Sequence, residues 1–587
     1  YFVASDAIVS RNKMKAVEMI RESNLLLYIF TFIVASYAWL ESGPVVLTNS
    51  GPVRGTILTT VRKSVKFSSF TGIPFAKPPL GPLRFQAPVP IDNWEDELDA
   101  TQSPSSCAQP NIIYFAPTTH MAGSEDCLYL NVYSPRTEFN NLKKADLRAV
   151  LIWIFPGAFV IGDQISSLMK PDFLLEEDVV VASMNYRLGA FGFLNLNHKN
   201  ASGNAGLKDQ ALALEWLKKN IQRFGGDPER ITIFGQSAGG ASVDFHTFSD
   251  MSGGLFQQTL SISGSPLGAY WSLQTNKDAL KQAFILGSRL GYESNDVEGL
   301  LQTLSSAPAS EIVFKSVDFP GQPFRPTVER VSNPQSIGTF LSSSALNRYI
   351  SGDHLHKGRH MIGFTELEAK VWHVYADWAA GLFNETQKQF KAAGVPIDLS
   401  SRIEFIKSMK GQTSTTLESV KGELEDLLQF TSDLFFVAGI DQKVRYLTSH
   451  EGHPVYYYRF AFQGQKYVNG PSAFDLLNYF NVTGTTHTED LLYLFYVPVS
   501  GIPIFQTQIS RTIDRYVKLI TNFAKYGNPT PEDRKDELLN ITWPQAGTEG
   551  LHLEINEELS VGPRPITDQI RSIQKAGAVS SPILWDC

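Results

Sequence analysis

The chain is 587 residues long, enough for one large domain or several average ones, and 43% of its residues are hydrophobic while 19% are charged. This balance is typical of a globular protein with a sizeable core and excludes a disordered chain. The formal net charge of −8 argues against a nucleic-acid partner, which would favour a basic surface.

The N-terminal segment differs in composition from the rest of the chain. Basic residues precede the apolar run "LLLYIFTFIVASYAWL" (25–40), which is too short for a comfortable membrane span. Ser36 and Ala38 offer an A-x-A-like cleavage site, so the pattern predicts a secretory signal peptide, with an N-terminal anchor as the alternative. We expect residues 1–40 (upstream residues plus signal peptide) to be removed, and residues 41–587 to form a secreted, extracellular domain without a stable membrane anchor.

Cysteine usage and sequons agree with secretion. In a secreted chain Cys107 and Cys127 can close a short loop, and Cys587 is then left over. Whether Cys587 pairs between chains or stays free is open, as is the oligomeric state. Four N-x-S/T sequons mark possible N-glycosylation sites: Asn200, Asn384, Asn481 and Asn540.

Apolar runs alternate with helical patterns between about residues 145 and 265. Buried strands are predicted at 149–155, 178–186 and 230–235, and helices at 207–224 and 238–248. Such alternation predicts a parallel sheet covered on both faces.

The second half of the chain is more helical. Helices are predicted at 276–291, 417–436 and 511–529, and one more strand at 453–462. No linker divides the sequence, so we expect one α/β domain with large insertions.

The segment "FGQSAGG" (234–240) carries the clearest chemical signal. Gly235, Ser237 and Gly239 fit the G-x-S-x-G pattern, and the pattern lies after a buried strand and before a helix. In that context the turn lifts the serine off the end of the sheet, and the next N–H points at the same space. The alternative is an ordinary strand–helix turn.

A serine nucleophile needs a base, which itself needs an orienting acid. With the chain order Ser, Asp/Glu, His, His120 and His198 come too early. His453 begins a predicted strand and is interpreted as structural. His487, in "GTTHTEDLLYLF", is the best candidate for the base because a glycine-containing loop precedes it and acids follow.

The segment "SGDHLHKGRH" contains a loose histidine cluster, formed by His354, His356 and His360. The spacing could suggest a metal site, but no cysteine or H-E-x-x-H pattern supports one. We interpret the cluster as a solvated loop and expect neither a metal nor a cofactor.

Several segments together resemble the type-B carboxylesterase/cholinesterase family, from about residue 44 almost to the end. The resemblance implies an α/β-hydrolase fold: a large, mostly parallel sheet with helices on both faces and helical insertions. The matching segments are 70–85, 125–135, 185–194, 203–221, 224–240 and 526–529.

The resemblance implies a catalytic triad. It places the nucleophile on Ser237 and the base on His487. The family acid is a glutamate five residues after a glycine, so Gly363 in "GFTELEAK" points to Glu368. Glu366 is the nearby competitor, and an alanine follows Glu368 where the family usually has glycine.

The resemblance also implies an oxyanion hole at "FPGAF" (155–159), where most relatives have three consecutive glycines. The backbone donors fall on Gly157, Ala158 and Ala238. Pro156, which has no N–H, occupies the first small-residue position, whose N–H is not one of the three donors. We expect Gly157 and Ala158 still to point at the oxyanion.

Other family positions are interpreted as structural. The resemblance implies a Cys107–Cys127 disulfide. It also implies buried ion pairs and buried polar side chains, namely Arg84–Glu125, Arg187–Asp209, Asn131 and Ser265.

The implied activity is two-step acyl transfer on small to medium apolar esters, such as xenobiotic, lipid, hormone or pheromone esters. The segment G-Q-S-A-G, with Gln236 where glutamate is commoner, resembles that of juvenile hormone esterases of insects, which are one alternative. A second alternative is a catalytically weak or inactive binding or adhesion protein. A cholinesterase is disfavoured because no tryptophan lies between Cys107 and Cys127.

Overall fold

The computed structural model describes residues 43–113, 116–164, 169–268, 273–317, 323–330, 338–352, 356–370, 376–408, 421–468, 472–473 and 482–577. The predictions for the signal peptide, Asn481 and Cys587 fall outside these ranges.

Strands occur along the whole described chain. Their bounds are Val45–Leu47 (β1), Pro52–Arg54 (β2), Thr56–Thr59 (β3), Lys66–Pro74 (β4), Leu98–Asp99 (β5), Gln109–Ile113 (β6), Ala116–Ala122 (β7), Tyr129–Ser134 (β8), Arg148–Ile154 (β9), Val180–Met184 (β10), Asn195–His198 (β11), Ala201–Ser202 (β12), Gly226–Gln236 (β13), Gln258–Ile262 (β14), Arg359–Thr365 (β15), Val455–Phe460 (β16), His552–Ile555 (β17) and Leu559–Gly562 (β18).

An 11-stranded sheet organises the molecule, in the order β18-β17-β16-β15-β14-β13-β9-β10-β8-β4-β3. The strands from β10 to β17 in this order run parallel to one another. β8, β4 and β3 at one edge and β18 at the other are antiparallel to their neighbours. The predicted large, mostly parallel sheet is therefore confirmed, and the strands predicted at 149–155, 178–186, 230–235 and 453–462 are β9, β10, β13 and β16.

Helices connect the strands and cover the sheet. The α-helices are Asp172–Leu175 (α1), Gly189–Phe193 (α2), Ala205–Asn220 (α3), Ala238–Thr247 (α4), Asn276–Arg289 (α5), Val297–Ser306 (α6), Ala309–Val317 (α7), Ala345–Ser351 (α8), Ala376–Ala393 (α9), Ser400–Ser408 (α10), Lys421–Ser432 (α11), Ala438–Ser449 (α12), Thr507–Tyr526 (α13) and Asp568–Lys575 (α14). A π-helical turn, Asp433–Val437, joins α11 to α12. None of the helices in the described ranges is long and apolar enough to cross a membrane.

The sheet centre is apolar because helices cover both of its faces. Every residue of β10 is buried, as is every residue of β9 except the first. α4 packs on β13 and β14, and α13 packs on β9 and β13. Since parallel strands end at the same edge, the segments that follow β9, β13 and β15 emerge side by side there.

Both predicted ion pairs are present; the Arg187–Asp209 pair is buried and the Arg84–Glu125 pair is partly buried. Arg187 donates two side-chain hydrogen bonds to the Asp209 carboxylate at 2.7 and 2.8 Å, and its backbone N–H donates a third at 3.0 Å. The Arg84 guanidinium makes a two-point contact with Glu125 at 2.7 and 2.5 Å. Breaking the Arg187–Asp209 pair leaves an unpaired buried charge, which costs about 3–5 kcal/mol.

The prediction of a solvated histidine loop is wrong for the part of it that the structure describes. His360 lies in β15 and is buried, with Nδ1 2.8 Å from the Thr259 hydroxyl and Nε2 3.4 Å from Nδ1 of His453. Burial lowers the pKa of His356 to about 4. The segment is rich in polar residues, which led to the interpretation as a loop, but its last residues begin a buried strand. His354 is outside the described residues.

Candidate active site

The turn after β13 is a strained strand-to-helix elbow. Ser237 has φ 56° and ψ −121°, a conformation that side chains disfavour, and α4 begins at the next residue. The Ser237 N–H donates to the Ile262 carbonyl of the neighbouring strand at 2.8 Å. The serine is thus held at the sheet edge, beside the positive end of the α4 dipole.

Close backbone packing explains the glycines of the elbow. A Cβ on Gly239 would lie 2.0 Å from the Ile154 carbonyl oxygen, and one on Gly235 would lie 2.5 Å from the backbone of Gly239. A Cβ on Gly264 would lie 2.2 Å from the Ser237 carbonyl oxygen. The G-x-S-x-G pattern therefore reflects a turn that only glycine allows at these positions.

Two loops bring the predicted base and acid together. Nδ1 of His487 lies 2.5 Å from Oε2 of Glu368, and both residues are buried. The backbones of the two loops are also joined. The backbone N–H of His487 donates to the Glu368 carbonyl at 3.2 Å, and the backbone N–H of Leu367 donates to the Thr485 carbonyl at 2.9 Å. The loops approach closely at Gly484, where a Cβ would lie 2.9 Å from that of Leu367.

The structure separates the two glutamates that compete for the role of acid. The second carboxylate oxygen of Glu368 accepts from the Thr365 N–H at 2.7 Å. Glu366 instead accepts from the Gln463 amide at 3.3 Å. Ala369 follows Glu368 without a positive φ, so the freedom of the usual glycine is not needed, and its N–H donates to the Ser432 hydroxyl at 2.9 Å.

The side chain before the serine also reaches the histidine. Nε2 of the buried Gln236 lies 3.1 Å from Nε2 and 3.3 Å from Nδ1 of His487. Because Nδ1–H donates to Glu368, Nε2 of the ring is left as the acceptor. Within the described residues, Ser237 makes no hydrogen bond to His487, so in this state the Gln236 amide occupies the acceptor atom.

The segment Phe155–Gly162, named here the oxyanion loop, is a compact turn after β9. Gly157 has φ 117°, and Ala158 and Phe159 follow with φ 60° and 61°. The Gly157 carbonyl accepts from the N–H groups of Val160 and Ile161 at 2.9 and 3.0 Å. A Cβ on Gly157 would lie 2.0 Å from the Ile161 carbonyl oxygen, so glycine is required there.

The entrance to this loop is firmly held despite Pro156. The Phe155 ring stacks on Tyr186 with centroids 4.2 Å apart, and the Tyr186 hydroxyl donates to the Phe155 carbonyl at 3.0 Å. The Gly189 N–H donates to the Phe159 carbonyl at 2.7 Å. These contacts fix the direction in which the chain leaves β9.

Neighbouring carboxyl groups favour the neutral form. Burial raises the pKa of Glu489 to about 7, and burial together with the Glu368 charge raises the pKa of Asp490 to about 8. Burial lowers the pKa of Lys370, whose ammonium donates to the Gly484 carbonyl at 3.0 Å. Near neutral pH, Asp490 therefore adds little negative charge beside the Glu368–His487 pair.

An apolar cavity lies beside the oxyanion loop. It is partly open to solvent, and its lining includes Val160, Leu188, Phe191, Ile312 and Phe324. No charged side chain lines it, and neither Ser237 nor His487 belongs to its wall. The cavity is suited to an apolar group close to the loop.

Sequence reasoning missed two contacts of the base. One is Gln236, described above. The other is Phe436 in the π-helical turn, whose ring centroid lies 4.7 Å from that of His487. Single-turn π-helical segments are frequent at functional sites, but no sequence signal marks this one.

The predicted disulfide and three of the four predicted sequon asparagines lie in the described residues. Cys107 and Cys127 form a disulfide with Cα atoms 5.0 Å apart. Asn540 is exposed, while Asn200 and Asn384 are partly buried. Asn131 and Ser265 are buried, as expected for structural polar side chains.

The sheet, the elbow and the paired acid and histidine define the α/β-hydrolase class. Residues 42–573 match the Carboxylesterase family, and the chain belongs to that family. It is a carboxylic ester hydrolase, and small-molecule esters are its class of substrate.

The similar proteins include several insect esterases. The chain is 33% identical over 530 residues to a juvenile hormone esterase of Tribolium castaneum, covering 86% of each protein. It is 31% identical over 541 residues to venom carboxylesterase-6 of Apis mellifera, covering 88% of this chain and 92% of that one. The crystal structure of juvenile hormone esterase from Manduca sexta, with OTFP covalently attached, is similar with a TM-score of 0.73, at 27% identity over 92% of this chain and 99% of that one.

Proposed function

We propose that the protein hydrolyses apolar carboxylic esters through an acyl-enzyme on Ser237, with His487 as base and Glu368 as the acid that orients it. The observation that carries the proposal is the 2.5 Å contact between His487 and Glu368 next to the strained Ser237 elbow. A buried carboxylate on Nδ1 holds the imidazole in the tautomer whose Nε2 accepts a proton.

The first half-reaction begins when His487 Nε2 exchanges the Gln236 amide for the Ser237 hydroxyl. Catalytic hydrogen bonds of free enzymes often form fully only with substrate bound. Ser237 Oγ attacks the ester carbonyl as its proton moves to His487. The same proton then goes to the departing alcohol, leaving the acyl group on Ser237.

The second half-reaction repeats these steps with water. His487 takes a proton from water, the hydroxide attacks the acyl carbon, and the carboxylic acid leaves as Ser237 regains its proton. The backbone N–H groups of Gly157, Ala158 and Ala238 are the proposed donors to the oxyanion in both halves. Removing one such donor typically costs ~10²–10³ in rate.

The proposed substrates are esters whose acyl or alcohol part is small to medium-sized and apolar. The uncharged cavity beside Val160 supports this choice, because a charged group would lose part of its hydration there without gaining a charged partner. Juvenile hormone esterase is the second candidate, supported by Gln236 and by the likeness to the enzymes of Tribolium castaneum and Manduca sexta.

We also propose that residues 41–587 are one domain, secreted after removal of residues 1–40. The family match over residues 42–573 and the disulfide, a bond that persists in oxidising compartments, support this. To test secretion and use of the sequons, the protein is recovered from the culture medium and its mass is measured before and after N-glycan removal. We expect the protein in the medium and a lower mass after the treatment. Retention of all the protein inside the cells would refute it.

The decisive assay compares the wild type with Ser237→Ala on short-chain and long-chain p-nitrophenyl esters. We expect turnover by the wild type and a loss of at least ~10³-fold in the variant, because the residual rate relies on binding and oxyanion stabilisation alone. Equal rates would refute the serine mechanism. A juvenile hormone assay with the same pair tests the subclass: brisk turnover of generic esters with negligible kcat/KM on the hormone would exclude it.

A further inference from the structure

Two buried amide side chains tie the end of the oxyanion loop to the disulfide segment, defined here as residues 105–109. Gln109 lies in this segment; its Nε2 donates to the Gly162 carbonyl at 2.8 Å, and its Oε1 accepts from the Gly162 N–H at 2.8 Å. Asn185 accepts from the Gln164 N–H and donates to the Ser105 carbonyl, both at 3.0 Å. The two segments are thus joined by hydrogen bonds at two neighbouring points.

The Gln109 amide has a further bond, from Nε2 to the Cys107 carbonyl at 3.0 Å. Cys107 is fixed in turn by its disulfide to Cys127. The tie therefore runs from a covalently closed segment through one side chain to the backbone of Gly162. Gln109 and Asn185 are 9% and 1% exposed, so water does not replace these bonds readily.

The loop needs such support because it is strained. Left-handed backbone costs roughly 1–2 kcal/mol per non-glycine residue, and Ala158 and Phe159 are consecutive examples. Conformations of this kind persist where surrounding contacts over-determine them. Gly162 folds back on the loop entrance: a Cβ there would lie 2.5 Å from the Phe155 ring and 2.6 Å from the Pro156 carbonyl oxygen. A bond made at Gly162 thus constrains the whole turn.

We propose that Gln109 and Asn185 are positioning residues that hold the oxyanion loop in its strained, donor-presenting conformation. They act through the backbone of Gly162 and Gln164. Gln109 also lines the apolar cavity beside Val160, whereas Asn185 does not, so Asn185→Leu is the variant that leaves the cavity wall unchanged. The inference rests on the proposed function, since it concerns the direction of the Gly157 and Ala158 N–H groups towards the proposed oxyanion. Shifting those donors by ~1 Å weakens transition-state binding by up to ~10²-fold and leaves ground-state binding largely intact.

The chemistry of the tie requires an amide. Gln109 satisfies both the N–H and the carbonyl of Gly162, which an apolar side chain of similar length cannot do. Glutamine to methionine therefore removes the bonds with little change of volume. Asn185→Leu removes the second tie in the same way and is an independent probe.

The test measures kcat per serine titrated by a stoichiometric organophosphate, KM, and Ki for a trifluoromethyl ketone that forms a tetrahedral adduct. For Gln109→Met and Asn185→Leu we expect kcat to fall about 10- to 100-fold and KM to stay within about threefold. We expect Ki to rise by the same factor as kcat/KM falls, because the adduct also needs the oxyanion donors. A variant that only folds poorly loses titratable serine and keeps its kcat.

The matched control is Gln387→Met. Gln387 makes a similar two-point contact with backbone, accepting from the Leu399 N–H at 2.5 Å and donating to the Ile397 carbonyl at 3.3 Å, but it lies on α9. We expect a lower melting temperature and an unchanged kcat per titrated site. If Gln109→Met and Asn185→Leu behave like this control, the positioning role is refuted. A wild type without Ser237-dependent turnover would overturn the proposed function as well.

Discussion

Replacing Glu368 by glutamine tests which glutamate orients the histidine. One carboxylate oxygen of Glu368 contacts His487 at 2.5 Å, and the other accepts from the Thr365 N–H at 2.7 Å. In Glu368→Gln, the amide oxygen can serve only one of these donors. If it keeps Thr365, the new NH₂ faces Nδ1 and drives the imidazole proton to Nε2, so the base can no longer accept from Ser237.

The reverse orientation of the amide is also unfavourable. With its oxygen on His487, the NH₂ would face the Thr365 N–H in a buried site, which costs about 1–3 kcal/mol for the unpaired donors. We therefore expect kcat to fall about 10³- to 10⁴-fold, equivalent to about 4–5.5 kcal/mol of transition-state stabilisation. The carboxylate of Glu366 contacts Gln463 instead, so Glu366→Gln should stay within about threefold of the wild type.

The assay is steady-state hydrolysis of a p-nitrophenyl ester, with kcat expressed per titrated serine. Circular dichroism and urea unfolding establish that both glutamine variants are folded. If Glu368→Gln keeps more than a tenth of the wild-type kcat, or if Glu366→Gln loses as much, the assignment of the acid is refuted.

Two further predictions concern the loop entrance and pH. Pro156→Gly should change kcat/KM for ester hydrolysis by less than about tenfold. The N–H that proline lacks is not a proposed donor, and Tyr186 already holds Phe155 by stacking and a hydrogen bond. A larger change would show that the proline determines the conformation of the oxyanion loop. The pKa of Asp490 is raised to about 8 by burial and by Glu368, against about 3.9 in an unfolded chain, so the folded state retains a proton that the unfolded state releases. Its contribution to stability therefore falls as pH rises from about 4 to 8, by up to about 1.4 kcal/mol per pH unit. Asp490→Asn cannot titrate, so urea unfolding at pH 5.5 and 7.5 should show its stability relative to the wild type increasing with pH; a constant difference would contradict the prediction.

Much of the fold could be predicted from local patterns. The central strands are continuous apolar runs because helices cover both faces, and continuous runs are visible in sequence. The Ser237 elbow was predictable for a similar reason: backbone crowding at Gly235 and Gly239 leaves a fixed spacing of glycines.

The rest depends on contacts between distant segments. Gln236 was visible as a residue type, but its contact with His487 depends on a loop 251 residues further along. The prediction for the histidine cluster was wrong because the burial of His360 depends on the strands on either side of β15. The local sequence of three closely spaced histidines does not reveal those neighbouring strands. The contacts of Gln109 could not be predicted from the sequence, because nothing in the local sequence distinguishes a glutamine that binds backbone from one exposed to solvent.

The order of the site residues along the chain has a consequence for synthesis. The elbow serine precedes the histidine by some 250 residues, and Glu368 and His487 are themselves 119 residues apart. A ribosome therefore completes the elbow and its central strands long before it delivers the proposed base. Chains truncated before His487 would carry Ser237 without the proposed base, so we expect them not to hydrolyse esters, and turnover would report on chains that have folded with residue 487 in place.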